Sequence, residues 1–393
     1  MPWTHIQLEQ DGSYRPCCRT SGFRKKKKYF LKEYLESEEL VNLKSDLLNG
    51  NLSPSCERCW NDEKLATNSN SYSLRLIENE SFPTDASKHT KDTFEIKSME
   101  IRTGNICNLS CRMCFSNYSS KWISEISQHE TFLTDDVQLR ESVGSVRQIF
   151  DLNNNSISEL VKLARQCRHL LISGGEPFLS KGFIHFLNEI SLCPEIQNMS
   201  IGLSTNATVY RKDIMNLLSK FRNADISISV DGTRKVNEYV RTNSNWDEIK
   251  SNLIEFGRDH SDQLSLTLAP TLNVWTIFYI DELLSFYEEE LFPSFKLKNK
   301  FNFQVSPSWQ AINILNLSER QKVLSKIESF ESKCRIDSTG LKFFVLALKE
   351  RLRQSDFDEN GRRLFRRLSP IYDRIKNQSF EQFLPELSQE LMS

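Results

Sequence analysis

The chain has 393 residues, with 51 Lys plus Arg against 52 Asp plus Glu and a formal net charge of −1 at pH 7. That length allows two or three domains, or one large barrel with additions, and the near-zero charge argues against an overall polyanion binder. No run of about eighteen apolar residues offers a membrane span, and the opening MPWTHIQLEQDGS lacks the basic-then-apolar order of a secretory signal. Ten cysteines without an export signal point to the reducing cytoplasm, where thiols are metal ligands or buried groups rather than disulfides.

Residues 1–92 read as a small Cys-rich module and its linker. His5–Glu9 alternates like a strand, Asp11-Gly12 supplies a turn, and Tyr14–Cys18 reads as the returning strand of a hairpin. Lys25–Lys28 is a basic run, either a solvated surface or a grip on phosphate, nucleic acid or an acidic peptide. Ser37 as N-cap, Glu38 and Glu39 in the first turn and Asn49-Gly50 at the end mark a helix to Leu48. Cys56-x2-Cys59 follows. Such a pair presents two thiolates to one metal, in zinc and iron–sulfur sites alike. Cys17 and Cys18 can join it, but adjacent residues on extended backbone face opposite ways, so one of the two is the expected ligand. On the residues alone, free thiols, zinc and an iron–sulfur cluster all remain open. Residues 67–92, rich in Ser, Asn and Thr and containing Pro83, read as a connector.

From residue 93 to 306 strands alternate with helices. The first strand is Ser98–Arg102, and at its end come Cys107, Cys111 and Cys114, spaced C-x3-C-x2-C. A structural metal site wants four protein ligands, whereas a [4Fe–4S] cube served by three local thiolates keeps one iron open. The alternatives are three unrelated thiols, or zinc with a distant fourth ligand. A long insertion with helices near 121–127 and 156–167 leads to the second strand, 170–173, which ends in Gly174-Gly175-Glu176-Pro177. The third strand, 199–203, ends in Ser204-Thr205-Asn206. The fourth, 225–230, contains Ser229 and runs into Asp231-Gly232, and the fifth and sixth are 264–269 and 302–305. The intervening helices are expected at 182–192, 211–220, 246–259 and 280–289. Strict alternation with apolar strands predicts a parallel α/β sheet, with ligands at the strands' C-terminal ends. Residues 307–393 read as a C-terminal helical extension, charged outside and without a chemical motif.

Taken together, C-x3-C-x2-C, Gly-Gly-Glu-Pro, Ser-Thr-Asn and Ser-x-Asp-Gly, in that order after four successive strands, resemble the radical S-adenosylmethionine (SAM) superfamily over about residues 94–305. The stretch from Asp11 to Cys18, followed by a helix and Cys56-x2-Cys59, is similar to the auxiliary-cluster modules called SPASM or twitch. Relatives with the module in front commonly carry a cysteine just before the equivalent of Pro2-Trp3, where this sequence has Met1. The Leu384-Pro385-Glu386-Leu387 stretch also resembles the end of that group.

The resemblance implies a partial (β/α)6 TIM-like barrel with a small N-terminal Cys-rich module and C-terminal helices. It implies a [4Fe–4S] cluster on Cys107, Cys111 and Cys114, with SAM chelating the open iron, and a second iron–sulfur cluster on Cys17 or Cys18 with Cys56 and Cys59. Gly174 and Gly175 admit SAM to the backbone and Glu176 accepts from its ammonium. Ser204, Asn206, Ser229 and Asp231 are candidates for its ribose and methionine groups. Arg241 can hold its carboxylate through a two-pronged guanidinium contact, and Met113 can border the adenine. The implied reaction is reductive cleavage of SAM and hydrogen abstraction from a peptide, fed by an electron donor such as flavodoxin or ferredoxin. A sugar-like substrate and a non-enzymatic electron-transfer or scaffold protein are the competing readings; neither a membrane nor nucleic acid is an expected partner. Cys167, Cys193 and Cys334 read as incidental thiols, and the six histidines show no metal-ligand spacing.

Overall fold

The structure, a computed structural model, describes residues 1–21, 23, 31–65, 76, 79–80, 86–129, 136–152, 157–297, 302–304 and 306–392. The Lys25–Lys28 run, Pro83 and the end of the expected sixth strand, Val305, lie outside them. The chain forms two compact units. One comprises Met1–Gly104, Phe150–Leu203 and Asn216–Ala224; the other comprises Asn105–Ile149, Ser204–Met215 and Asp225–Ser393.

In the first unit the expected hairpin forms. Strand β1 (His5–Leu8) pairs antiparallel with β2 (Tyr14–Arg15) across the Asp11-Gly12 turn, where Gly12 has φ +83°. The other edge of β1 pairs parallel with β3 (Ser98–Arg102), which continues to β4 (His169–Ser173) and β5 (Ser200–Thr205, whose last two residues belong to the second unit), all parallel. Register follows from alternation. Met99, Leu170 and Ile201 align in one buried row and Ile101, Ile172 and Leu203 in another, while Glu100, Leu171 and Gly202 share the opposite face. The helix at Glu38–Leu48 begins as its sequence dictates, with Ser37 accepting from Leu40 N. Such a cap stabilises a helix by about 1 kcal/mol.

In the second unit β6 (Asn223–Ile228), whose first two residues belong to the first unit, is followed in sheet order by β7 (Leu264–Leu268) and then β9 (Phe295–Leu297). β7 and β9 pair parallel from Leu266↔Phe295 to Leu268↔Leu297. This corrects the expected sixth strand. Asn302–Phe303 (β10) is instead a two-residue partner of β8 (Thr271–Leu272). The short Phe-Lys-Leu of β9, buried at Phe295 and Leu297, is what lies beside β7. The helix at Trp246–Arg258 is capped by Asn245, which accepts from both Asp247 N and Glu248 N. Long helices at Leu317–Lys333, Thr339–Gln354 and Glu359–Lys376 follow, and two shorter ones, Phe380–Phe383 and Pro385–Met392, come after them. The helix at Glu359–Lys376 packs Phe365 and Tyr372 against Trp309, which meets Trp275 edge-on at 5.7 Å. The result is mixed α/β with a mostly parallel sheet and C-terminal helices, consistent with the expected partial barrel. Among the described residues no helix is long and apolar enough to cross a membrane.

Candidate functional site: a three-cysteine loop

In the second unit, the loop carrying Cys107, Cys111 and Cys114 is held by its backbone. Ser110 N donates to Thr242 O at 3.2 Å and Arg112 N to Val240 O at 2.8 Å. Trp122 Nε1 donates to Cys111 O at 2.9 Å, Ser119 Oγ to Leu109 O at 2.6 Å, and Gln310 Nε2 to Arg112 O at 3.1 Å. The helix bearing Trp122 starts where Ser119 caps it, so one serine both begins the helix and ties the loop.

Two side chains aim N–H groups at cysteine sulfurs. Asn206 Nδ2 lies 3.8 Å from Cys107 Sγ and also donates to Asn108 Oδ1 at 3.1 Å. Thr208 Oγ1 in turn donates to Asn206 Oδ1 at 2.6 Å, and Asn108 Nδ2 donates to Thr208 Oγ1 at 2.9 Å. Arg241 Nη1 lies 3.9 Å from Cys111 Sγ. Its Nε is 2.8 Å from Asp231 Oδ2, a close ion pair too poorly aligned to satisfy either atom as a hydrogen bond. Although burial opposes its charge, Asp231 and Cys111 raise the Arg241 guanidinium above its usual range. Asp231 Oδ1 accepts from Thr271 N at 2.7 Å, so this carboxylate is engaged within the fold. Ser229 N donates to Thr205 O at 2.8 Å, and Ser204 is exposed at the end of β5.

Burial raises the Cys111 thiol and pushes Cys114 up to about 12, with Arg241 pulling both back down. Such thiols stay protonated alone and lose the proton on binding iron. Three thiols on one pinned loop, two of them facing N–H donors, fit an iron–sulfur cluster, whose thiolates commonly accept such bonds.

The contribution of the C-terminal helix was not legible in the sequence. Arg112, fully buried, donates to Asp373 Oδ1 at 2.7 Å, Gln378 Oε1 at 2.9 Å and Tyr239 O at 2.9 Å, and its guanidinium stacks 3.7 Å from the Tyr239 ring. Lys376 donates to Ser110 O at 2.7 Å and pairs with Glu125, which also accepts from Ser110 Oγ at 2.6 Å. The extension expected to lack a motif thus supplies two charged groups to the loop.

Gly174, Gly175 and Glu176 belong to the first unit. Gly174 sits at φ +131°, and a Cβ there would lie 2.7 Å from Gly104 O, so only glycine fits. Gly175 N donates to that same carbonyl at 2.9 Å. The Glu176 carboxylate is buried and accepts from Phe178 N at 3.2 Å, capping the turn at Pro177–Leu179.

The second cysteine set is also in this unit. Cys17, Cys56 and Cys59 line one cavity of about 640 Å³, together with Trp3, Thr20 and Trp60. Cys56 ends the turn at Pro54–Cys56 and Cys59 lies one helical turn on, so the two share a face. Cys18 does not line the cavity; burial first, then Glu100 and Cys17, push its thiol up to about 12. Among the described residues no three His, Cys, Asp or Glu side chains converge on a single-ion position.

Comparison with known proteins gives one curated relative. Over 168 residues the chain is 25% identical to the radical SAM cyclopropyl synthase TigE of Paramaledivibacter caminithermalis, covering 40% of this chain and 32% of that protein. The chain thus spans about a third of the length of that relative. Among solved structures it is similar to anSMEcpe with bound AdoMet, with 16% identity, a TM-score of 0.42, and coverage of 61% of this chain and 63% of that one. It is also similar to Streptococcus suis SuiB bound to precursor peptide SuiA, with 16% identity, a TM-score of 0.39, and coverage of 75% and 60%. Residues 101–286 match the family model described as the Radical SAM superfamily, and that match, on the segment holding the pinned cysteine loop, supports placing this chain in that superfamily.

Proposed function

We propose that this chain is a radical SAM enzyme that abstracts hydrogen from a peptide, with a second iron–sulfur cluster that takes an electron from the substrate radical. The observation that carries the first part is the cysteine loop, with Asn206 and Arg241 directed at two of its three sulfurs. Bound there, a [4Fe–4S] cluster and SAM supply one-electron cleavage of the sulfonium carbon–sulfur bond, giving methionine and a 5′-deoxyadenosyl radical. Cys107, Cys111 and Cys114 hold three irons. Arg241, already balanced by Asp231, offers its remaining N–H groups to the SAM carboxylate. Gly174 and Gly175 keep side chains away from the ligand, Glu176 takes its ammonium, and Ser204, Ser229 and Met113 border the rest. The N-terminal resemblance and the cavity shared by Cys17, Cys56 and Cys59 support the second cluster. The peptide reading rests on that module's resemblance. An external donor such as flavodoxin or ferredoxin supplies the first electron.

The test is anaerobic reconstitution with iron, sulfide, SAM and dithionite. The wild type is expected to form 5′-deoxyadenosine and Cys107→Ala none. Equal, background-level product from both would overturn the enzymatic reading.

A further inference from the structure

In the first unit, the cavity of about 640 Å³ shared by Cys17, Cys56 and Cys59 also has an imidazole in its wall, that of His89. None of the residues assigned to SAM above lines this cavity.

The cavity is assembled from separate chain segments, and each is tied down. Ser21 N donates to Ser55 O at 3.1 Å and Ser21 Oγ to Pro54 O at 3.1 Å, joining the segment after Cys17 to the turn that carries Cys56. Trp60 Nε1 donates to Ser53 O at 3.0 Å, which fixes that turn against the helix bearing Cys59. The segment that follows His89 is held from two sides. Trp3 Nε1 donates to Thr90 O at 2.7 Å, and the buried Lys44 donates to Lys91 O at 3.3 Å and Thr93 O at 2.8 Å. A lysine is rarely buried unless its ammonium is met, so these contacts make residues 90–93 part of the module rather than a loose connector. The half-buried His89 ring lies flat against the Trp3 indole, with centroids 4.7 Å apart and planes 3° from parallel. Stacking uses a face of the ring, whereas coordination uses a nitrogen at its edge, so the two are compatible.

Iron–sulfur clusters take thiolates and, in some proteins, imidazoles from the chain. A four-iron cube needs its ligands on four separate irons, spread around it, where zinc needs them converging on one point. Three thiols and one imidazole, carried on three pinned segments around one cavity, supply a spread of the first kind.

We propose that His89 ligates the fourth iron of the second cluster through a ring nitrogen, alongside Cys17, Cys56 and Cys59. The assignment rests on the reading of this cavity as a cluster site and names the ligand that completes it. A neutral imidazole in place of a thiolate leaves the cluster less negative by one charge, which raises its potential. That suits a group whose task is to take an electron from a substrate radical.

The test uses the full chain carrying Cys107→Ala, Cys111→Ala and Cys114→Ala, so that after anaerobic reconstitution with iron and sulfide only the second cluster gives a signal. Reduced with dithionite, this parent is expected to show, by pulsed electron paramagnetic resonance, a directly bonded nitrogen whose coupling changes when the histidines are labelled with nitrogen-15. His89→Phe keeps a ring on Trp3 but has no ligating nitrogen. It is expected to lose that coupling and to bind about one iron fewer per chain. His89→Cys is expected to bind as much iron as the parent, to show no nitrogen coupling and to have a lower midpoint potential. A loaded cluster without nitrogen coupling in the parent, or a coupling that survives His89→Phe, would overturn the proposal. A parent that binds no iron and sulfide would remove the second cluster itself and His89 with it, and the iron and sulfide counts separate that failure from failure of the ligand alone.

Discussion

Lys376 and Glu125 form a buried ion pair behind the backbone of Ser110, next to Cys111 in the cysteine loop. The ammonium also lies 3.1 Å from the centre of the Trp122 ring, a cation–π contact in a dry site. Burial lowers the Lys376 ammonium to about 7, with Glu125 opposing. Removing one member of a buried pair strands the other, at a cost of about 3–5 kcal/mol. Lys376→Met is therefore expected to destabilise the protein by that amount in urea unfolding and to lower its iron uptake. Replacing both charges, Lys376→Met with Glu125→Leu, is expected to recover most of the stability. A double variant no more stable than the single one would show that the loss was of packing rather than of charge balance.

The adjacent thiols Cys17 and Cys18 are expected to behave differently. Only Cys17 shares the cavity with Cys56 and Cys59. Cys17→Ala, and separately Cys56→Ala with Cys59→Ala, should lower the iron and sulfide bound per chain after anaerobic reconstitution by about one cluster's worth. Cys18→Ala should leave both counts unchanged. Zinc in the wild type, with iron unaffected by the double substitution, would sink the second-cluster reading.

His5 gives the first unit an acid-sensitive edge. Its ring is buried in β1, with Nδ1 2.7 Å from Ser98 Oγ, and burial, followed by the N-terminal charge and His169, lowers its pKa from 6.5 to about 3. The folded state therefore resists a proton that the unfolded chain takes up near pH 6.5. The stability this group contributes is full above pH 6.5 and is lost as pH falls toward 3, by about 1.4 kcal/mol per pH unit within that window. Unfolding midpoints of His5→Gln are expected to fall less steeply with acid than those of the wild type. Parallel curves would assign the acid sensitivity to other groups.

Local signals were the ones the sequence could express. Ser37, Asp11-Gly12 and the strands of the first unit appear where their caps, turns and alternation placed them, because each depends on residues a few positions apart. The strand beside β7 was misplaced because Phe295-Lys296-Leu297 is too short to show a period, while the stretch from Asn302 carries the same apolar alternation. C-x3-C-x2-C is visible as a motif because its three thiols lie within eight residues of one another. Asp373 and Lys376 gave no such signal: they reach Arg112 and Glu125 across 261 and 251 residues, and nothing in a charged helix distinguishes its inward-facing members until the partner is in place.

Asn206 is expected to set the cluster's reduction potential as well as the loop's shape. Its Nδ2 lies 3.8 Å from Cys107 Sγ, and an N–H at a thiolate stabilises the more negative, reduced state more than the oxidised one. Removing it should therefore make the cluster harder to reduce. A differential interaction of a fraction of a kcal/mol corresponds to a shift on the order of 30 mV for one electron. Asn206→Leu also loses the bonds to Asn108 and Thr208, so Thr208→Val is the needed comparison. It breaks the same local network but leaves the sulfur's donor in place. Redox titration followed by the cluster's electron paramagnetic resonance signal should show a lower midpoint for Asn206→Leu and an unchanged one for Thr208→Val. Equal shifts in the two would mean that loop geometry, and not the N–H at Cys107, governs the potential.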